Sequence, residues 1–320
     1  MTGWRPAYIY TLALVAMGAG WGLTQPLTKI AVSTGHQHFG LIFWQLVIGA
    51  AIAGTLTVLR GRGLPLGRSN LIVYVVIAIL GTVVPNSASF QAIAHLPVGV
   101  HTIVLSLIPV MAFPMAIALG MERFHARRFI GLLLGLAGVL LLILPESSLP
   151  DPAMFIWILV SLIGPLCYAM EGNYVARWGT ADMDPFQVLF GASLVGALMA
   201  LPLAIGTGQY ISPFRVWAGP EWAFVASSAI HLAVYSTYVW LVGRTGAVFA
   251  AQVSYLVTGF GVLWAMLLLG ERYSPFIWAA LVFVLAGVWL VQPRTRDRLA
   301  EAEPIGDIAA RSGDTGEQKT

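Results

Sequence analysis

The sequence predicts an all-α integral membrane protein with ten transmembrane helices arranged as two inverted five-helix repeats. Three observations carry that expectation. The first is composition: of 320 residues, 58% are hydrophobic and only 10% charged, where soluble domains carry about a quarter charged. Apolar runs of roughly 18 to 25 residues recur along the chain, each long enough at about 1.5 Å per residue to cross about 30 Å of hydrocarbon. The second is duplication. The stretch His101–Leu142 returns 149 residues later, with twelve identities over 42 positions, including the pairs Glu122-Arg123 and Glu271-Arg272 and the Leu-Ala-Gly-Val runs ending at Val139 and Val288. Repetition of a two-segment unit at half the chain length marks duplication of a structural unit. The third is charge placement. With a cytoplasmic N-terminus, twelve Lys and Arg residues fall in inside segments and three (Lys29, Arg215 and Arg272) outside, the remaining two lying in the distal tail. That bias is the positive-inside signal.

The spans are expected at 7–31, 39–59, 70–94, 98–120, 127–145, 153–177, 185–206, 222–243, 247–269 and 275–292. The first starts after a single Arg5 and has no small-residue cleavage site leading into a polar mature domain, so it reads as a true span rather than a signal peptide. The second ends at Arg60 and Arg62, the fourth at the Glu122-Arg123 turn, and the fifth opens on Arg127 and Arg128. The sixth ends at Arg177, the eighth at Arg244 and the ninth at Glu271-Arg272; Pro275 opens the tenth. Five spans per half is an odd number, so the second half enters the membrane from the opposite face. Units are therefore expected at 7–145 and 153–292, with 293–320 a disordered cytoplasmic tail. Inverted repeats around a midplane site are the architecture of alternating-access carriers. The scattered basic residues read as topology signals, not as a nucleic-acid surface. The single Cys167 excludes a disulfide framework and reads as a small buried apolar residue.

At this point the residues resemble a family. Trp21-Gly22 followed by Lys29, Ala94-His95-Leu96-Pro97, Pro109, Glu122-Arg123 with the run ending at Val139, and the second set at Leu269–Arg272 and Leu285–Val288 are similar to the drug/metabolite transporter superfamily. The likeness is to its EamA-type ten-span members, which carry two EamA repeats, and it covers roughly residues 7 to 292. It implies an inner-membrane or plasma-membrane carrier of small metabolites, commonly an exporter of amino acids or related compounds. One departure is that members often carry an Arg early in the second span, where this chain reads Phe43-Trp44-Gln45. An uncharged amide there leaves an anion-binding role without its cation.

Candidate chemistry lies deeper in the spans. Glu171, in the sixth, is a membrane-embedded carboxylate, costly by about 2.5 to 3.5 kcal/mol and usually facing a cavity or a partner. It is a candidate for proton or cation coupling; the alternative is that it reaches water or pairs with Arg177. His231, inside the eighth span, and His101, opening the fourth, are candidates for proton relay, with interhelical hydrogen bonding as the alternative. His36 and His38 read as solvated. His231, Tyr235 and Tyr238, at i, i+4 and i+7, share a helical face, which Ser227 extends, while Gln252, Tyr255 and Thr258 form a second polar face in the ninth span. Trp21, Gln25 and Lys29 share a face of the first, with Lys29 expected to snorkel; Gln45, Asn86 and Gln91 could join Gln25 around a midplane cavity. Pro85, Pro109, Pro114 and Pro165 lie inside spans, where kinks or hinges form.

The expected substrate site is thus Trp21, Gln25, Gln91, Tyr235, Tyr238, Gln252 and Tyr255, chiefly among spans 1, 3, 4, 6, 8 and 9. Trp21 and Tyr235 would stack on substrate and the amides and Tyr255 would hydrogen bond it. No cluster has metal-ligand spacing, no cofactor is implied, and nucleotide-loop, nucleophile-elbow and zinc-protease motifs are absent, so neither an enzyme nor an ATP-driven pump is expected. The expectation is a secondary transporter of small amphipathic metabolites, working in the export direction as the resemblance implies; a passive facilitator or channel of the same fold is the alternative. Its partners would be a small molecule, the bilayer and a coupling proton.

Overall fold

A computed structural model describes residues 4–33, 35–144, 149, 151–214, 216–245 and 253–291. Among them every regular element is a helix, and we number ten in chain order. They are α1 (Trp4–Val32), α2 (His38–Leu59), α3 (Arg68–His95), α4 (Val98–Ala118), α5 (Ala126–Ile143), α6 (Phe155–Trp178), α7 (Pro185–Gly206), α8 (Gly219–Thr245), α9 (Val253–Leu269) and α10 (Pro275–Val291). Six of them, α2 to α7, are 18 residues or longer and apolar enough to cross a membrane; α9 and α10 are apolar at 17 residues each. Gln252 and the tail 293–320 lie outside the described residues.

Three helices are interrupted, each two or three residues ahead of a proline. In α3 a π-turn at Ile79–Val83 precedes Pro85. α4 breaks at Ser106-Leu107 ahead of Pro109, and α6 at Leu162 ahead of Pro165. A proline has no N–H to donate to the preceding turn, and the backbone widens or breaks there. Pro114 sits within α4 without a break of its own.

The most extensive packing follows a rule: replacing each helix by the one five places on leaves the pattern unchanged. α5 packs on α10, α2 on α7 and α4 on α9, each helix on its own counterpart, while α1 packs on α8 and α9 and α6 correspondingly on α3 and α4. The detail repeats the rule. A Cβ at Gly131 would lie 2.6 Å from the Gly287 carbonyl oxygen, and a Cβ at Gly287 the same distance from that of Gly131, so α5 and α10 meet backbone to backbone. Small residues permit this approach where helices cannot rely on expulsion of water to associate. The largest apolar cluster, including Leu107, Val139, Val262 and Val284, joins α4, α5, α9 and α10.

The lesser contacts do not all follow it: α4 packs on α10 and α2 on α3 without an equal between α9 and α5 or α7 and α8 among the described residues. α1 also packs on α3 and α4, whereas α6 makes no comparable contact with α8 or α9 among the described residues. The turns after α1, α3, α7 and α9 share one end of the bundle, the distal face. The start of α1 and the turns after α2, α4 and α6 share the other, the N-terminal face.

Candidate functional site

α1 and α8 bring together part of the expected constellation. The Trp21 indole N–H donates to His231 Nδ1 at 3.2 Å, with ring centroids 5.9 Å apart, and the Tyr238 ring lies 5.7 Å from Trp21. The Ser227 hydroxyl donates to the Thr24 carbonyl at 3.3 Å, so the i, i+4 polar stripe of α8 is laid along α1. His231 nonetheless keeps an exposed surface midway along its helix, the condition of a side chain on a cavity wall. Gln25 and Gln91 are half-buried and bond within their own helices, Gln25 to the neighbouring Thr24 hydroxyl at 3.4 Å and Gln91 to the Ser87 carbonyl at 2.9 Å.

Other expected residues lie elsewhere. Tyr255 packs against the large apolar cluster, with its hydroxyl buried and without a hydrogen-bond partner among the described residues. His101 is fully buried between α4 and α6, where Nδ1 shares a 2.8 Å hydrogen bond with the Ser161 hydroxyl and Nε2 is unpaired.

Glu171 is half-buried on α6 and makes no hydrogen bond or ion pair among the described residues; Arg177 is exposed and not joined to it. Its carboxylate lies against the π-turn of α3, where a Cβ at Gly81 would come within 2.6 Å of Oε1 and 2.9 Å of Oε2. Gly81 therefore makes room for it. Tyr168 lies one turn before Glu171 on α6. The missed residue is Tyr168. Its hydroxyl donates to Asn86 Oδ1 at 3.1 Å, and the Asn86 amide donates to Gln45 Oε1 at 3.0 Å, a polar chain across α6, α3 and α2. The signal was present: Tyr168 precedes Glu171 by three residues, one turn of the same helix face.

Lys29 does not snorkel. Its ammonium donates to the carbonyls of Ile93, Ala94 and Leu96 at 2.6, 3.1 and 3.1 Å, closing the C-terminus of α3 where orphan carbonyls need donors. Two residues further on, Glu271 accepts from the N–H groups of Val98 and Gly99 at 2.8 and 3.3 Å, capping α4 across the two halves. The Tyr273 hydroxyl donates to Glu271 at 2.6 Å, and burial, then the carboxylate itself, push this phenol above its ordinary pKa so that it remains a donor. In the first copy Glu122 instead pairs with the buried Arg128, which lies over the Phe113 ring. His36 is not merely solvated: it pairs with Glu221 at 2.8 Å, both side chains under a tenth exposed. This pair adjoins a cavity of about 260 Å³ between α2, α8 and the turn before α8, lined by Leu41, Trp44, Ile48, Trp217 and Phe224.

Among the described residues no three His, Cys, Asp or Glu side chains converge to hold a metal ion. What the arrangement offers is a set of polar and aromatic side chains on α1, α3, α6 and α8, with capping bonds from Lys29 and Glu271 at the distal face.

Comparison with known proteins adds three findings. The model of the EamA-like transporter family matches residues 8–144 and again 155–292. The chain is 21% identical over 295 residues, 91% of its length and 93% of the relative's, to "Uncharacterized transporter YvbV" of Bacillus subtilis (strain 168). A solved crystal structure with 16% identity superposes with a TM-score of 0.61, over 91% of this chain and 99% of that one, which is a likeness of fold.

Proposed function

The chain belongs to the EamA-like transporter family, and from that premise we propose a secondary transporter that moves small amphipathic metabolites, such as amino acids or related compounds, outward by alternating access. The protein is a multi-pass membrane transporter; the proposal concerns how it works. Ten helices cross the inner or plasma membrane, both termini are cytoplasmic, and units 7–145 and 153–292 are inverted with respect to each other.

One observation carries the reading: the most extensive packing is closed under exchange of each helix with its counterpart, while α1 packs on α3 and α4 and α6 makes no comparable contact with α8 or α9 among the described residues. A duplicated unit sealed on one side and open on the other is what alternating access needs, since reversing the asymmetry presents the same cavity to the other face. The twelve-to-three basic bias makes the sealed distal face external. Trp21, Tyr235 and Tyr238 supply the aromatic wall, Gln25, Gln91, Gln252 and Tyr255 hydrogen-bonding groups reached as the bundles move, and Glu171, with His231 and His101 behind it, the coupling to protons or a cationic group.

Counterflow in proteoliposomes tests this. Vesicles loaded with an unlabelled amino acid or amine should accumulate the labelled compound transiently, with saturation. Linear, unsaturable flux without trans-stimulation would favour a passive facilitator and overturn alternating access.

A further inference from the structure

Resting on the carrier reading, we propose that Glu171 and the π-turn of α3 form a cation subsite that selects organic amines over zwitterionic amino acids. Four observations converge. The carboxylate sits in the interior with no hydrogen bond and no ion pair among the described residues. A carboxylate so placed is stabilised by a counter-charge, and among the described residues none is paired with it, which leaves that role to a proton or a cationic ligand. The chain makes room for the carboxylate: the π-turn at Ile79–Val83 carries glycine where any Cβ would strike Oε1. π-turns of this kind are rare inside helices and are frequently found at functional sites, and an ammonium brings three N–H donors to a carboxylate beside one.

Third, tyrosines stand on the helices around the carboxylate. Tyr168 lies one turn before Glu171 on α6, and on α8 Tyr235 lies one turn before Tyr238, whose ring is 5.7 Å from Trp21. Aromatic faces attract alkylammonium groups and stack on an aromatic body.

The fourth observation excludes the zwitterion. An amino acid also brings a carboxylate, and among the described residues no basic side chain is joined to Glu171; Arg177, further along the same helix, is exposed, and several others are engaged elsewhere. Lys29 is held by three carbonyls at the end of α3, Arg128 by Glu122, Arg62 by Asp184, and Arg60, Arg127 and Arg244 lie over aromatic rings. The second helix presents Gln45, bonded to Asn86, within the polar chain that leads to Tyr168. The subsite has one negative charge and no positive one, so a ligand of net charge +1 completes it and a second carboxylate would be left unpaired.

Equilibrium binding to the purified full chain in detergent at pH 7 tests this with three probes of one shape: phenethylamine, L-phenylalanine and 3-phenylpropionate. Phenethylamine should bind saturably and be displaced by neither of the others at tenfold excess. Its affinity should fall at least about tenfold in Glu171→Gln, the scale of losing a charged hydrogen-bonded partner. Gly81→Ala should lower it comparably while retaining the charge, and melting temperatures of both variants report whether they fold. Phenylalanine binding as tightly as phenethylamine, binding unchanged in folded Glu171→Gln or Gly81→Ala, or no saturable binding of phenethylamine would overturn the proposal. Saturable amino-acid counterflow together with any of those results would leave the carrier reading standing while removing this one.

Discussion

The junction of α1 with α3 and α4 and its counterpart, α6 with α8 and α9, descend from one duplicated unit and behave differently. In the first, Lys29 closes the end of α3 and Glu271 opens α4, so the α3–α4 turn is held from both sides by ionic groups of other helices. In the second, Arg177, next to the position 149 residues on from Lys29, is exposed, and Glu122, the counterpart of Glu271, is committed to Arg128. The same Glu-Arg turn therefore serves two purposes. At one end of the bundle it ties the two halves together; at the other it stays within its own half, and the helices beside it stand apart. A helix terminus is an inexpensive place to make such a difference, because its orphan N–H and C=O groups accept any correctly charged partner that reaches them.

The largest effect in this comparison is expected at Glu122. Glu122→Ala leaves Arg128 buried over Phe113 with its charge uncompensated. Breaking a buried pair from one side costs about 3 kcal/mol, measured as a lower denaturation midpoint in detergent. The double change Glu122→Gln with Arg128→Met should recover most of it, because paired charges replaced by apolar groups are close to neutral. A double variant as unstable as the single one would mean that Glu122 holds more than Arg128.

Glu271→Ala should cost less, about 1 to 2 kcal/mol for a lost helix cap, but should act on the sealed junction itself. In a background with Cys167→Ser, a cysteine placed at Gln25 should react faster with an impermeant maleimide from the distal side once Glu271 is gone. Unchanged labelling would show that the distal seal is held by apolar packing and not by the cap.

How much of this could be read from the chain differs between the two junctions. Ten helices, the duplication and the Glu-Arg turns as span ends follow from hydrophobic run length and self-similarity, both of which a linear sequence carries. The expected and observed bounds of the seventh helix, 185–206, coincide. Partners across the bundle were not legible. Lys29 looked like a snorkelling residue because the carbonyls that receive it lie more than sixty positions away, and His36 looked solvated because Glu221 lies 185 positions on. Glu171 stood out by its cost in an apolar segment, but the π-turn that accommodates it depends on how Pro85 redirects α3, and Tyr168 was overlooked because tyrosine in an apolar run is unremarkable until Asn86 is seen to receive its hydroxyl.

A smaller effect separates the two ends by pH. Glu221, in the first turn of α8 at the distal face, is held below the usual carboxylate range, first by the Ala218 N–H and then by His36, against the opposing effect of burial. Folding therefore favours its ionised form, and the stability it contributes is present above the unfolded carboxylate value of about 4.3 and fades as pH falls through the lower folded value. The difference in melting temperature between the parent and Glu221→Gln should be constant from pH 7.5 to about 5.5 and shrink toward zero near about pH 3. The Ala218 N–H, the backbone N–H of Glu221 itself and His36 all favour the ionised form, so removing the last by His36→Ala should reduce this difference without abolishing it. A difference that grows on acidification would mean that Glu221 is bound as the acid, and that the distal end is not held by an ionised carboxylate at this position as it is at Glu271.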